Sequence, residues 1–529
     1  MPTLKILLTW HRRGGSIFTR TTKRLFCKSE QSNNEVRKTM VHRQPLAPAA
    51  SRPFAVIVAI FMIIELTPIF EVTMMYTAIP TLMHAFEADA SAISWVVTIF
   101  LLVGAGTAAI AGRLGDIYGR KKVLITLMAI SALGPIISVV MGNLEGVLIG
   151  RALQGTSAGL FPLLIGVARE VAPHNRVSIL ISLTSGVGLI GGSIGGVAAG
   201  LLLGAGGWQS LFIASACLAV LAILVALALP GSVSTIASRS RIDVLGGVLM
   251  APAIASILYG FTTSRTQRAS PTVIGLIIAG ALLFAFWVIW ELRIEQPMFN
   301  LRLFRQRSLV LTLVTTAFAS LGILSAPGLL TPILQQSATD LPVGLGLTPT
   351  QAGLYGLISG AVAFALSPVA GRIAGNHGGK LILAAGAVLG VVGFSGFFIS
   401  THNLPLSIVS VVIGSVGTVF LTISIPIVIV ENVPVHDTSE AVGLIFTVGR
   451  TLFSAVGTTI IGIVLASSTI PGTTAPTVAS WNAGIIFIGI AGAAALIATL
   501  SIAKSTPMNR RAANPDQIIP EPAGHAVSH

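Results

Sequence analysis

The sequence predicts an all-α polytopic membrane protein: two six-helix bundles with an inserted two-helix hairpin, fourteen transmembrane helices in all. Three observations carry that prediction. Apolar runs of twenty or more residues recur along nearly the whole chain, and each can cross the roughly 30 Å hydrocarbon layer as a helix. Hydrophobic residues make up 53% of the 529 and charged residues 9%, with a mean hydropathy of +0.88. That overrides the three or four soluble domains the length would otherwise imply. Third, a glycine-punctuated charge cluster, GRLGDIYGRKK (Gly112 to Lys122), returns in weaker form 259 residues later as GRIAGNHGGK (Gly371 to Lys380). The period-2 alternation of a membrane barrel is absent.

Fourteen spans are expected near 54–80, 91–111, 123–142, 146–168, 177–203, 209–229, 244–261, 271–290, 309–334, 350–370, 381–400, 405–430, 439–467 and 482–503. Both termini then share one side. Placing them in the cytoplasm puts 17 Lys/Arg in or beside the inner connections and the C-terminal tail, against Arg265 and Arg268 outside. The positive-inside rule fixes the orientation accordingly. The net charge of +14 is no sign of a nucleic-acid partner. Eleven of the 32 basic residues fall in the first 52, and most others lie at inner membrane boundaries, where anionic headgroups account for them. Two cysteines, Cys27 and Cys217, provide neither a disulfide framework nor a metal cluster.

The repeat divides the chain. Residues 1–52 are read as a basic cytoplasmic tail, or as a leader upstream of a start at Met40. Residues 53–230 form an N-terminal six-helix bundle, 231–296 the linker and extra helices 7 and 8, 297–503 the C-terminal bundle, and 504–529 a second cytoplasmic tail. Within the repeated loops Gly112, Arg113, Gly119 and Lys121 align with Gly371, Arg372, Gly378 and Lys380. Asp116 and Arg120 become Gly375 and Gly379, so the copies are unequal. His174 and His436, Gly195 and Gly457, and Gly200 and Gly462 extend the correspondence. Parallel repeats related by an axis along the membrane normal fit this layout.

Span 1 holds two carboxylates, Glu65 and Glu71. A carboxylate at membrane depth costs about 2.5–3.5 kcal/mol on insertion scales, unless it finds a partner, water or a proton. Protonating an ordinary glutamate at pH 7 costs about 3.7 kcal/mol. The two magnitudes match, so either acid is suited to loading and releasing a proton; a structural ion pair is the plainer alternative. Pro68 lies between them and allows a bend. Met74 and Met75 are adaptable side chains suited equally to varied ligands or to packing. Arg151 in span 4 and Arg450 in span 13 are the basic residues inside spans. Arginine cannot discharge, so each needs a carboxylate, carbonyls or water, snorkelling to an interface being the alternative. Arg151 is the expected modulator of the proton site; Arg372 and Arg450 are second-half candidates.

Span 5 contains SGVGLIGGSIGGVAAG. Gly186, Gly188 and Gly191 spell GxGxxG, but no acid occurs between Glu170 and Asp243 to hold a ribose, which removes the dinucleotide reading. Gly188, Gly192, Gly196 and Gly200 recur every four residues, with Gly191 and Gly195 beside them. They predict a smooth face on which helices pack closely and pivot.

Together these residues resemble the major facilitator superfamily, and the fourteen-span layout is similar to its drug:proton antiporter group, from about residue 54 to 503. GRLGDIYGRKK resembles the signature loop between spans 2 and 3, with Ile117 where a basic residue is usual. RALQGTSAG (151–159) resembles the span 4 motif. FEVTMMYTAIP resembles the span 1 pattern, with Glu71 for the usual aspartate and Tyr76 for an asparagine. GGSIGG is similar to the antiporter motif, with Gly192 replacing its proline. PMFNLRLFRQRSL (297–309) and LTPTQAGL (347–354) are like family linkers. The resemblance implies a major facilitator fold and a loop (Gly112, Asp116, Gly119, Arg120, Lys121) that latches the halves in the outward-facing state. Asp116 would cap a helix across the interface, where an anion gains about 0.3–1 kcal/mol, and Arg120 would reach Glu170.

The expected function is proton-coupled export of drugs or other small organic molecules across the cell inner membrane by alternating access. A facilitator-type importer or a metabolite or siderophore exporter is the alternative; an integral-membrane enzyme or sensor is the remote one. No cofactor or metal is expected. The partners are the small-molecule substrate, protons and the bilayer, with a periplasmic adaptor protein as a further candidate and a monomer as the working unit.

Overall fold

The computed structural model describes residues 53–88, 90–230, 243–267, 270–294, 301–433, 437–470 and 475–503. Both tails, Met40, Cys27, Arg268, His436 and residues 297–300 of the linker motif lie outside them. Among the described residues the chain is helical apart from turns and one isolated bridge, Thr469 to Pro476.

The first half runs α1 (Phe54–Ala85), α2 (Ala90–Tyr118), α3 (Arg120–Met141), α4 (Leu144–Gly155), a 3-10 turn (Thr156–Gly159), α5 (Leu160–Val171) and α6 (Val177–Leu227). Next come the hairpin helices α7 (Val244–Gln267) and α8 (Pro271–Arg293). The second half follows as α9 (Arg307–Leu321), α10 (Ala326–Gln336), α11 (Pro349–His377), α12 (Gly379–Ser395) and α13 (Leu404–Asn432). It ends with α14 (Thr438–Leu444), a π-helical stretch (Ile445–Leu452), α15 (Phe453–Ala466) and α16 (Val478–Ser501).

Eleven helical stretches are long and apolar enough to cross a membrane. The bent pair within α2, Trp95–Ala108 and Ile110–Tyr118 at 43°, makes a twelfth. The expected fourteen requires two further readings. One splits α6 at Gly206 and Gly207, where φ/ψ of −153°/23° and 65°/−165° break the helix. The other counts α7, whose apolar stretch is only Pro252–Phe261. Pro68 does not interrupt α1.

The duplication is visible in how the helices end. Gly119 separates α2 from α3 at φ 91°, and Gly378 separates α11 from α12 at φ 94°, a region open to glycine and strained for other residues. Asn143 caps α4 by accepting from Gly146 N at 2.8 Å, and Asn403 caps α13 by accepting from Leu406 N at 3.0 Å. Each supplies an acceptor to an otherwise orphaned N–H. Small residues let backbones close up at matching places: Gly134 meets the Gly150 carbonyl, and Gly393 meets Gly414.

The two halves meet along α6 against α11, and along α2 and α5 against α14. A Cβ on Gly112 would run into the Ser439 backbone, and one on Gly371 into Ser182 Oγ. Gly186 meets Ser367. Toward the other end of the same helices, added Cβ atoms at Gly196, Gly200, Gly353 and Gly356 would meet nothing within 4 Å. Ser193 Oγ still donates to the Gly356 carbonyl at 3.3 Å. The interface is tightest at the end bearing the repeated loops.

Candidate functional site

Glu71 is fully buried in α1. Its carboxylate accepts three hydroxyl hydrogen bonds from three other helical segments. Ser131 of α3 donates to Oε1 at 3.0 Å, Ser157 to Oε2 at 2.6 Å, and Ser215 of α6 to Oε1 at 3.3 Å. Ser157 sits in the 3-10 turn between α4 and α5, and the tighter winding there places its hydroxyl on the acid. A hydroxyl can donate or accept. Three of them therefore suit either protonation state of the carboxyl group.

Arg151 is 1% exposed, which excludes snorkelling. Its guanidinium does not clamp the carboxylate. Nη1 donates to the Glu71 backbone carbonyl at 2.9 Å and to Gln154 Oε1 at 3.0 Å, and Nε donates to the Val96 carbonyl at 3.1 Å. Cζ lies 4.2 Å from the centre of the Phe100 ring. Gln154 Nε2 in turn donates to Ser215 Oγ at 3.0 Å. The arginine is thus linked to the acid through Gln154 and Ser215 as well as through its field. The sequence reading missed Ser131, Ser157, Ser215 and Gln154; Ser157 and Gln154 were in view inside RALQGTSAG, and a polar side chain within an apolar span was their signal. Met74 and Met75, at 0% and 1% exposure, are packed core rather than cavity lining.

Glu65 lies apart from this cluster. It is 9% exposed, and its Oε2 has no hydrogen-bond partner. Arg450 is in the π-helical stretch, and its Cζ is 5.2 Å from the centre of the Phe446 ring.

The structure distinguishes the glycines of the expected pivot face by how closely each is packed. Gly191 and Gly195 are the residues pressed against α1: a Cβ on Gly191 would lie 2.9 Å from Leu66, and one on Gly195 would strike Thr73 Oγ1. Gly188 and Gly192 have ordinary clearance from Ile69 and Thr73, while Gly196 and Gly200 face open space. Within the expected set the most closely packed edge is the one that faces α1.

The first loop forms a buried charge network. Arg120 and Asp116 are each 1% exposed. Arg120 Nε donates to Asp116 Oδ1 at 2.9 Å, with Nη2 at 2.7 Å from the same oxygen. Nη1 donates to the Gly166 carbonyl at 3.0 Å and to Glu170 Oε1 at 2.8 Å, as the sequence led one to expect. Across the interface Arg113 pairs with Glu440 at 3.3 Å, and Arg169 donates to the Val433 carbonyl at 2.9 Å and to Thr438 Oγ1 at 2.5 Å. Arg372, the counterpart of Arg113, is exposed and makes no ion pair among the described residues. The correspondence of His174 with His436 falls partly outside them.

Residues 61–343 match the family model of the Major Facilitator Superfamily. The chain belongs to that superfamily. As a facilitator it is a multi-pass membrane transporter and not an enzyme, and it carries a small-molecule substrate. Over 411 residues it is 25% identical to a "Multidrug resistance protein B homolog" of Mycobacterium tuberculosis, covering 75% of this chain and 73% of that one. It is 29% identical over 332 residues to a uridine/deoxyuridine transporter of Lactococcus lactis, covering 61% and 68%. The crystal structure of the human organic anion transporter MFSD10 aligns with a TM-score of 0.60 at 13% identity, covering 85% of this facilitator and all of that chain. That similarity is one of fold.

Proposed function

We propose that this facilitator is a proton-coupled exporter of drugs or other small organic molecules, working by alternating access in the cell inner membrane with both termini cytoplasmic. The observation that carries the reading is the Glu71 carboxylate. It is buried, bonded by three hydroxyls and in no ion pair among the described residues. A permanently charged acid would call for a salt bridge in this setting, whereas a group that alternately carries and sheds a proton is served by hydroxyls. Arg151, held to the Glu71 carbonyl, supplies a fixed positive field that movement of α1 against α4 would weaken.

The loop-bearing end is the closed one; with the loops cytoplasmic, this is the outward-facing arrangement. In this reading Gly112, Asp116, Gly119, Arg120 and Lys121 latch it, and Gly191 and Gly195 supply the close surface on which α6 moves over α1. The bundles are 53–230 and 297–503, joined by the 231–296 linker and hairpin, with fourteen spans. One proton crossing about 100 mV releases about 2.3 kcal/mol, enough for a roughly 50-fold gradient of a neutral cargo. A monomer suffices for this cycle.

The test is Glu71→Gln in proteoliposomes with an imposed pH gradient, alongside a drug-susceptibility panel in a strain lacking its own pumps. Gradient-driven efflux should vanish while folding is retained; uphill efflux in that variant would overturn the assignment. Facilitated diffusion of a nutrient or metabolite is the second reading, favoured by Gly192 in place of the antiporter motif's proline and by the uridine/deoxyuridine relative. It predicts flux indifferent to the pH gradient.

A further inference from the structure

Where the extra hairpin joins the C-terminal bundle, residues 293–307 carry four arginines, Arg293, Arg302, Arg305 and Arg307, against one acid, Glu295. All four arginines are exposed, and no ion pair of theirs occurs among the described residues. Two elements set their placement. On α8, Ile278, Leu282, Phe286 and Ile289 form one exposed apolar stripe, and Arg293 continues it one turn further at i+4. At 1.5 Å per residue, Ile274 to Arg293 covers about 28 Å, close to the roughly 30 Å hydrocarbon layer. Arg293 therefore stands at headgroup depth, in line with the acyl chains that coat α8.

The second element is a 3-10 turn (Leu301–Arg305) that sits against α8 and α9. In a 3-10 helix residues three apart eclipse, so Leu301 and Phe304 form one edge and Arg302 and Arg305 another. The apolar edge packs on a cluster containing Met250 of α7, Trp287 of α8 and Leu444 of α14. Leu114 of the signature loop packs on the same cluster, so the turn lies at the loop-bearing end. The arginine edge is exposed. Asp243 and Glu291, the described acids at this end of the hairpin, are 9% and 2% exposed and lie against Gly246. Asp243 accepts from Trp290 Nε1 at 3.0 Å. Both acids are buried, and the outer patch stays positive.

A lone arginine at a membrane boundary needs only water and whatever headgroup passes. Here two arginines share one edge of a short turn, a third stands on the adjoining helix, and the apolar stripe beyond it seats acyl chains. That surface matches a molecule with a negative head and long apolar tails. We propose that Arg293, Arg302 and Arg305 hold the headgroup of an anionic phospholipid whose chains lie along the α8 stripe, with Arg307 at the edge of the site. The other edge of the turn packs on the cluster shared by Leu114 and Leu444, which come from opposite halves. The bound lipid thus braces the seam at the signature loop. The proposal needs only the membrane placement of the chain and is independent of cargo and of proton coupling.

The test is equilibrium binding of acyl-chain-labelled phosphatidylglycerol to the purified protein in neutral detergent, with equally labelled phosphatidylcholine as the zwitterionic comparison. A basic residue near an anionic surface is worth about fivefold in binding, so wild type should prefer phosphatidylglycerol by roughly tenfold or more. Arg302→Gln combined with Arg305→Gln should remove most of that preference. Lys122→Gln combined with Arg176→Gln takes two exposed charges from the loop-bearing end of the first half and should leave it unchanged. Free glycerol phosphate should not displace the labelled lipid, whereas unlabelled phosphatidylglycerol should. Each variant is first checked for a wild-type elution profile and melting temperature. If the Arg302 and Arg305 double substitution fails that check, Arg293→Gln carries the test, with an expected loss of about fivefold. Equal binding of the two lipids by wild type, a preference that survives in the folded variants, or an equal loss in the Lys122 and Arg176 pair would each overturn the proposal. Displacement by glycerol phosphate as effective as by unlabelled lipid would overturn the lipid assignment in favour of a free phosphate.

Discussion

The two copies of the signature loop perform the same structural tasks with different chemistry. Lys121 Nζ donates to the carbonyls of Leu227 (2.9 Å) and Leu229 (2.5 Å), and Lys380 Nζ donates to those of Leu500 (2.7 Å) and Ile502 (2.5 Å). Each lysine closes the last helix of its own half. At the aligned position immediately before these lysines the copies part. Glu170 receives the Arg120 guanidinium, whereas Glu431 receives the Gly379 backbone N–H at 2.9 Å. The acid that anchors the start of the third helix is kept in both halves; in the first the Arg120 side chain carries a bond to it and draws Asp116 in, and in the second the Gly379 N–H does so. Backbone geometry and helix closure have been retained in both, while the buried charge network belongs to one. A latch built on that network is therefore one-sided.

The sharpest way to break this comparison is Arg120→Ala. It removes the Arg120 bonds to Asp116, which is 1% exposed, and to Glu170. Removing one member of a buried ion pair typically costs about 3–5 kcal/mol. Transport should fall to background while membrane insertion persists, with Asp116→Ala showing the same direction to a lesser degree. Near wild-type turnover in either variant would dissolve the latch. The second-half position has no matching experiment by charge removal, since Gly379 offers only its N–H.

Next in size is the contrast between Gly112 and Gly371. An added methyl at Gly112 meets the Ser439 and Glu440 backbone, which cannot rotate away; at Gly371 it meets mainly the Ser182 side chain, which can, and the Ser178 carbonyl at 2.9 Å. Overpacking costs about 1–3 kcal/mol, which corresponds to a 5–150-fold shift between two arrangements. Gly112→Ala should shift the population toward the arrangement open at the loop end more than Gly371→Ala does. Spin labels on Lys122 and Leu381, both exposed at that end, would report it by a longer distance distribution. Equal shifts would show that the two contacts are equivalent.

How much of this was legible beforehand differs between fold and site. The helices, the duplication and the turn at Gly119 and Gly378 follow from apolar runs and a repeated glycine, because those features are local. The buried acid Glu71 and the arginine Arg151 were legible for the same reason: a charge in an apolar span must be accommodated. Which groups accommodate it was not. Ser131, Ser157 and Ser215 lie 60, 86 and 144 residues from Glu71, and nothing local marks a serine as facing an acid. The same limit hid which glycines of the expected face pack most closely, since Gly191 and Gly195 are set by where α1 lies rather than by their own spacing. The fourteen-helix count depends on treating Gly206 and Gly207 as a boundary, which two adjacent glycines only partly signal.

The smallest predicted effect tests the shared part of the comparison. A cation at a helix C-terminus contributes about 0.3–1 kcal/mol, because the last carbonyls have no intrahelical donor and carry the negative end of the dipole. Lys121 and Lys380 each answer two such carbonyls with matching geometry, so Lys121→Met and Lys380→Met should lower thermal stability by similar small amounts. The double substitution should be near the sum, since the two lysines close different helices in different halves. If Lys121→Met instead costs several times more than Lys380→Met, the first lysine takes part in the Arg120 network as well as in helix closure. The asymmetry of the halves would then extend to a position where the bonds are the same.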